Sequence, residues 1–477
     1  MSTACKLYRE TFRTSREMDF FSEKELITQT AHAIREWPLV IVKELMDNAL
    51  DACEEADVSP IIDVSADAAG ITVADNGPGL PEATLRGQLD FTVRVSNREA
   101  YISPCRGAQG NALKTLLPLP CVLDPDGGKF IVAAHGKRHT ITCGADPISQ
   151  RPVIHDDVVD MPTRGTSVRL EWTSSVEDGV VLWPFDGLLP SRIKDPDDED
   201  DGYRSIFADS FRMLVEGFAL FNPHATIRLD WFGEETTWEA TLPGWQKWKP
   251  CQPTSAHWYE LPHLERLIGA YITHDRDAGK DRLISDFVAE FDGLARSGKR
   301  TKVLTDTGLK RVPLSQLVAG DRLDSARVAE LLAAMQRHTR LVQSPRLGMI
   351  GEDHLKARLL GMGVLPESFR YSRKLGKSTN AQTNGDAKAS FLPWVLESAF
   401  GWLGPEAEDQ RRIYTGANWS AAIGNPFREF GGTGEGLERA LAEMRATFDE
   451  PVVFVLHLAH PRVEYRDRGK SALVIDR

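Results

Sequence analysis

KELMDNALDA, residues 43–52, decides how the rest of this chain is read. Pro38 suits the first turn of a helix, and Leu39 to Glu55 follow without another proline or glycine, so the spacing predicts one helix here. On it Glu44, Asn48, Asp51 and Ala52 stand at i, i+4, i+7 and i+8 and share a face. Leu45, Met46, Ala49, Leu50 and Cys53 supply the apolar packing around them. Two carboxylates and an amide on one stripe are odd residues to bury. In isolation they fit a solvated helix face as well as a site.

Two further segments bear on that choice. Residues 61–76 alternate, turn at AAG, and resume as ITVAD, which predicts a β-hairpin ending at Asn76. Gly77 and Gly79 bracket Pro78 and let backbone approach something closely. A strand-end carboxylate such as Asp75 can accept a hydrogen bond from an exocyclic amine like that of adenine; the plain alternative is a DNG turn. From Arg106 to Lys114, Gly107 and Gly110 precede the helical stretch ALKTLL. Glycines opening a helix present bare N–H groups and a positive dipole end to phosphates.

Taken in order, these segments resemble the ATP-binding motifs of the GHKL superfamily. Glu44, Asn48, Asp51 and Ala52 match its E-x-x-x-N-x-x-D-A box, and Asp75, Asn76, Gly77 and Gly79 match D-x-G-x-G. Gly107, Gln109 and Gly110 match the glycine motif at the end of the lid, and Gly165–Thr166 in RGTSVRLEW matches the small GT motif. The lid ending SPCRGAQG is most similar to that of topoisomerase VI B subunits. FNPHATIRL (221–229) resembles a late strand of their ATPase domain. PTSAHWYELPHLERLI (253–268), FVAEFDGLARSGKRTKV (287–303) and SPRLGMIGEDHLKARL (344–359) resemble their helix-two-turns-helix region. IYTGANWSAAIGNPF (413–427) and VVFVLHLAHPRVEYRDRGK (452–470) resemble their transducer.

The resemblance implies an α/β (α+β) chain: a Bergerat-type ATPase sandwich, a helical middle domain and a mixed α/β transducer-like domain. The expected boundaries are an N-terminal arm at 1–30, the ATPase domain at 31–249, the helical region at 250–360 and the transducer-like domain at 361–477. It further implies ATP and Mg²⁺ as cofactors, with Asn48 on the metal and Glu44 as general base. Asp75 and Thr166 would hold adenine. Gly77, Gly79, Arg106, Gly107, Ala108, Gln109, Gly110 and Asn111 would line the nucleotide, with Asp51 supporting the pocket from behind. Lys470 falls where the family's transducer lysine reaches the γ-phosphate; Lys114 either reaches a phosphate or points outward. The implied machine is an ATP-dependent homodimer gating double-stranded DNA, with cleavage supplied by a separate Toprim-containing A-type subunit.

Two departures qualify that reading. Ala112 replaces a third glycine, bringing GAQGNAL closer to MutL's GFRGEAL. The chain also stops at Arg477, shortly after Lys470 and before the stalk that docks the family's A subunit, so a different mode of docking is expected. The alternative is a MutL- or MORC-like clamp, or a bacterial defence ATPase, without strand passage. A histidine kinase is disfavoured because His32, the only histidine upstream of the box, sits too close to the pocket helix.

Composition is ordinary for a globular chain of 477 residues, with 42% hydrophobic and 26% charged residues. The 6 cysteines show no CxxC pair or metal-ligand rhythm and read as reduced thiols of a cytoplasmic protein. No signal peptide or membrane-length apolar run is present. The net charge of −12 sits awkwardly with DNA binding. DPDDEDD (195–201) accounts for part of it and reads as a solvated loop. Arg296, Lys299, Arg300 and Lys302 are the candidates for phosphate contact, against the plain reading of a wetted surface. LDSARVAELLAAMQRH (323–338) predicts a helix, PVVFVLHL (451–458) a buried strand and KSTNAQTNGDAK (377–388) a loop.

Overall fold

The computed structural model describes residues 16–92, 100–107, 112–146, 148–149, 151–177, 179–192, 206–379, 391–407, 411–428, 436–466, 470 and 472–474. Helix α1 (Glu23–Thr30) leads into the long α2 (Trp37–Glu55), where Pro38 occupies the first turn because no N–H is needed there. The expected hairpin forms from β1 (Ile61–Asp67) and β2 (Gly70–Asp75). Short helices α3 (Glu82–Leu89), α4 (Ala112–Leu116) and α5 (Leu119–Leu123) follow. Then come β3 (Lys129–Ala134), β4 (Lys137–Asp146), β5 (Arg151–Asp160) and β6 (Thr166–Glu171). The three strands β7 (Ser175–Glu177), β8 (Val180–Trp183) and β9 (Leu188–Arg192) make a small sheet of their own. Helix α6 (Ile206–Phe221) and the pair β10 (Thr226–Trp231) and β11 (Glu234–Trp238) complete this part.

Eight strands form one mixed sheet in the order β11-β10-β1-β2-β6-β3-β4-β5, with β1 and β10 parallel. Period-two alternation assigns its two faces. Ile62, Val64, Ile71, Val73, Phe130, Val132, Val168, Leu170, Ile227 and Leu229 are buried. Their neighbours Asp63, Thr72, Arg169 and Arg228 lie on the opposite, wetter face, where Arg169 pairs with Asp67 and Arg228 with Asp63. The apolar sides of α2 and α6, including Leu45, Met46, Leu50, Phe211, Val215 and Phe218, belong to the same core.

The next stretch is largely helical: α7 (Leu261–Asp277), α8 (Ile284–Ala289), α9 (Ser297–Asp306), the two-residue strands β12 (Val318–Ala319) and β13 (Arg322–Leu323), α10 (Ser325–His338) and α11 (Glu352–Gly361). Helix α10 starts at Ser325, later than expected, because the Asp324 side chain accepts from the Arg327 N–H and caps it. A second mixed sheet follows, in the order β14-β15-β18-β16-β17. Its strands are β14 (Arg370–Thr379), β15 (Phe391–Trp402), β16 (Arg412–Ala417), β17 (Ser420–Ala421) and β18 (Val452–Ala459), with α12 (Gly436–Glu443) crossing between the parallel β16 and β18. Strand β18 is central and almost wholly buried, as its composition requires.

One expectation needs correction. Lys377, Ser378 and Thr379 are not loop but the end of β14, paired with Pro393, Leu392 and Phe391. An edge strand tolerates polar side chains because one flank meets water. The remainder of that predicted loop, the first residues of the arm and the acidic run 195–201 lie outside the described residues. The architecture is the mixed α/β one anticipated: a sheet-and-helix sandwich, a helical stretch and a second mixed sheet. Among the described residues no helix is long and apolar enough to cross a membrane.

Candidate active site

Helix α2 organises the site from both ends. Near its C-terminus, Asn76 fastens the turn after β2: its Oδ1 accepts from the Ile61 N–H at 2.9 Å and the Cys53 thiol at 3.4 Å. Its Nδ2 donates to the Ser59 carbonyl at 3.0 Å. Asp75 is thereby held with Oδ1 accepting from the backbone N–H groups of Gly77 (2.8 Å) and Thr166 (3.2 Å). Burial pushes the Asp75 carboxyl above the usual range, and those N–H donors only partly offset it.

The glycines here are dictated by proximity. At Gly165 φ is +68°, and an added Cβ would stand 1.8 Å from the Asp75 carbonyl oxygen. At Gly77 it would stand 2.9 Å from Asp75 Oδ1 and 3.2 Å from Cys53 Sγ. We expect Gly165→Ala to cost about 1–3 kcal/mol through overpacking, with added strain from the left-handed backbone. Urea unfolding checks this; a wild-type midpoint would contradict so close a contact.

At the other end stands Glu44, nine positions before Cys53 (53 − 44) and so about 13.5 Å along the helix axis. Its Oε1 receives Lys470 Nζ at 3.3 Å and Lys43 Nζ at 3.5 Å. Burial raises this carboxyl, but Lys43 and Lys470 more than offset burial and hold it down at about 2. Asn48, one turn further along, is exposed and has no hydrogen-bond partner among the described residues. Lys470 itself adopts φ +56°. The face carrying Glu44 and Asn48 therefore runs from a two-lysine carboxylate to the Asp75 end.

The adjoining row of α2 is charged, buried and neutral in sum. Lys43 Nζ meets Asp47 Oδ2 at 2.9 Å. Arg106 pairs with Asp51 and, in a two-pronged contact at 2.7 and 2.6 Å, with Glu54. Lys247 Nζ lies 2.9 Å from Glu54 and His224 Nε2 3.1 Å. Three carboxylates thus face three cations. Burial opposes every charge, yet Arg106 and Lys247 hold Glu54 well below its ordinary value. For Lys247 burial wins, helped by Arg106, and its ammonium is easier to deprotonate than usual.

Several expected residues fall elsewhere. Arg106, anticipated among the residues lining the nucleotide, is fully enclosed beneath α2, with its donors spent on Asp51, Glu54, Asn222 and the Trp419 carbonyl. A guanidinium beside buried carboxylates is held by them more strongly than by solvent-facing work. Lys114, for which two directions stood open, takes neither: it turns inward and donates to the Asp90 carbonyl. Asp51, expected behind the pocket, faces Arg106. Gly107 is described, whereas Ala108, Gln109, Gly110 and Asn111 lie outside the described residues. Arg296, just before α9, and Lys299 and Lys302 on it are exposed, with Arg300 partly covered.

Residues missed by the sequence reading are Lys43, Asp47, Glu54 and Ser420. The i,i+4 spacing of Lys43 and Asp47 was the available signal; nothing local pointed to Ser420. A cavity of about 240 Å³ opens beside Lys470, lined by Lys43, Ser420, Arg428 and Tyr465 among others. A carboxylate poised between ammonium groups at one end, with a hydrogen-bonded carboxylate at the other, can orient water near one charge and bind a polar heterocycle at the opposite end.

No family model matches the chain. A segment of 76 residues is 53% identical to the B subunit of type 2 DNA topoisomerase 6 from Archaeoglobus fulgidus, covering 15% of this chain and 12% of that protein. Over 187 residues the identity is 28% to the same-named protein of Methanococcoides burtonii, covering 35% and 29%. Over 87 residues it is 36% to that of Pyrococcus furiosus, covering 17% and 15%. The matched segments thus span less than a third of each of these relatives. Two solved structures superpose loosely at 11% identity. One is the N-terminal domain of a DNA repair protein (TM-score 0.37, covering 91% of this chain and 87% of that one). The other is the 43K ATPase domain of Thermus thermophilus gyrase B in complex with an aminocoumarin (TM-score 0.34, 97% and 86%). In sequence, over these segments, the chain is similar to the B subunit of type 2 DNA topoisomerase 6.

Proposed function

We propose that this chain binds and hydrolyses ATP as the B-type subunit of a type IIB topoisomerase-like complex. The observation that carries the proposal is the Glu44–Lys470 pair at one end of α2, set against Asp75 at the other. That separation suits a nucleoside triphosphate lying along the helix face, adenine at Asp75 and Thr166, phosphates toward Glu44. The adjacent helical and transducer-like segments match the order of parts in the resembled family, with proposed boundaries near residues 30, 249 and 360.

In this reading Glu44 orients the attacking water and accepts its proton, and Lys470 neutralises charge on the terminal phosphate. Asn48 offers an unpartnered, exposed amide one turn from Glu44, a hard-oxygen donor that fits Mg²⁺. Mg²⁺ held there by Asn48 would supply positive charge to offset that of the phosphates. Gly107 and the neighbouring glycine-rich residues would supply backbone donors. ATP would close two copies of the chain into a gate on DNA, and a separate Toprim-bearing subunit would cut.

The test is co-purification of the tagged protein with a non-hydrolysable ATP analogue. A Toprim-containing chain in near-equal amount supports the gate. The chain alone, or with non-cleaving partners, moves the assignment to a MutL- or MORC-like clamp without strand passage, a second reading that the net charge of −12 favours in the form that closes on another protein and not on DNA.

DNA contact through α9 has its own signature. Each phosphate neutralised contributes about −0.9 to the slope of log K against log salt. We expect Lys299→Ala with Lys302→Ala to make that slope shallower by about 2 while leaving sequence preference unchanged. Filter binding at several salt concentrations reads this, and an unaltered slope removes α9 from the interface.

A further inference from the structure

The turn joining β16 to β17 is built to be held in one place. Asn418 and Trp419 both have left-handed backbones, with φ of +49° and +64°. Trp419 is completely buried. Its N–H donates to His457 Nε2 at 2.9 Å, and its carbonyl accepts from Asn222 Nδ2 at 2.9 Å. Asn418 Nδ2 reaches the Cys105 carbonyl at 3.2 Å and the His460 carbonyl at 3.0 Å. The next residue, Ser420, sends its hydroxyl to Asp47 Oδ2 at 2.8 Å. That same oxygen receives Lys43 Nζ, whose further contact is Glu44 Oε1. Asp47 Oδ1 has no hydrogen bond among the described residues, so Oδ2 alone ties Ser420 to Lys43.

We infer that Ser420, acting through Asp47 and Lys43, is a positioning residue for Glu44, so that the seating of the C-terminal sheet sets the geometry of the proposed base. This rests on the ATP-hydrolysis reading above. With Ser420 in place Asp47 divides its charge between a hydroxyl and an ammonium. Without it, Asp47 Oδ2 keeps only Lys43, with Arg106 no nearer than 4.0 Å to Oδ1, and Lys43 moves off Glu44. Any domain movement that lifts the 417–420 turn has the same consequence, which couples the C-terminal sheet to hydrolysis through a side-chain relay separate from the Lys470 contact.

The groups facing Glu44 are Lys43 and Asp47 from its own helix and Lys470 and Tyr465 from the C-terminal part. Losing the Lys43 contact therefore raises the carboxyl's proton affinity, and the acid limb of the kcat–pH profile shifts to higher pH. The experiment is steady-state ATP hydrolysis against pH for the full chain, for Ser420→Ala, Ser420→Thr and Asp47→Asn, with Glu44→Ala alongside. We expect Ser420→Ala and Asp47→Asn to lower kcat by about 10- to 100-fold, the scale of a misplaced catalytic group, with KM changed less than about 2-fold. The acid limb should move upward in Ser420→Ala and downward in Asp47→Asn, which frees Lys43 for Glu44, and Ser420→Thr, which keeps the hydroxyl, should restore kcat and limb to wild type. Wild-type kcat and acid limb in Ser420→Ala overturn the inference, as does an equal loss in Ser420→Thr. If the unmodified chain hydrolyses no ATP, the functional reading itself fails and takes this inference with it. If it does, and Glu44→Ala abolishes turnover, failure at Ser420 is failure of the relay alone.

Discussion

Glu44→Ala is expected to slow ATP turnover at least about 100-fold while leaving nucleotide binding within a few-fold of wild type, the loss that follows removal of a general base. The structural grounds are specific. Glu44 is only half-buried, so its removal leaves no enclosed void, and Lys43 retains Asp47 while Lys470 retains access to water. The fold should survive and the opposite end of α2, anchored by Asp75, Asn76 and Gly165, should be untouched. The acid it removes sits between two ammonium groups that hold it ionised with a pKa of about 2. A carboxylate so stabilised is a weak base while Lys470 stays beside it. In the proposed reaction, transfer of Lys470 to a phosphate would remove one of the two cations and strengthen the base when water must be activated. Single-turnover hydrolysis with a parallel nucleotide titration separates the two quantities. Near-normal turnover would falsify the assignment of Glu44; loss of binding together with turnover would place it instead in nucleotide affinity.

The second large effect concerns stability. Arg106→Met should destabilise the protein by about 3–5 kcal/mol, because it strands buried carboxylates without their cation. Arg106 has no exposed side-chain surface and meets Asp51 and Glu54 directly, with Asp47 at 4.0 Å. Lys247 cannot take over both carboxylates, since its single ammonium already faces Glu54 at 2.9 Å. Adding Glu54→Gln to Arg106→Met should recover part of the loss, because the worst consequence of removing one ion is the other left charged in the interior. Urea unfolding of the wild type, both single variants and the double variant measures this. A single variant as stable as wild type would mean that solvent reaches the cluster.

Much of the scaffold around the site was legible in local pattern. An uninterrupted apolar periodicity with Pro38 at its head identified α2, and alternation with a glycine turn identified β1 and β2. The apolar run at 451–458 was legible as a buried strand, whereas the start of α10 was read two residues early, before the Asp324 cap. Gly77 was legible as a glycine needed for close approach, though what it approaches was not, whereas Gly165 was legible only through the GT motif of the resembled family. The direction of Arg106 was misjudged because its neighbours in sequence are the glycines of the lid, whereas its neighbours in space are carboxylates of a helix more than fifty residues earlier.

Periodicity in the chain by itself determined which residues of α2 share a face and where strands and helices run, because these follow from short-range sterics and the helical and strand repeats. Only the tertiary structure decided that Lys470 meets Glu44 and that Ser420 meets Asp47, contacts separated by 426 and 373 positions. A charge excluded from water must be matched by whichever opposite charge or donor the packed elements bring to it, and that choice is made by the fold as a whole.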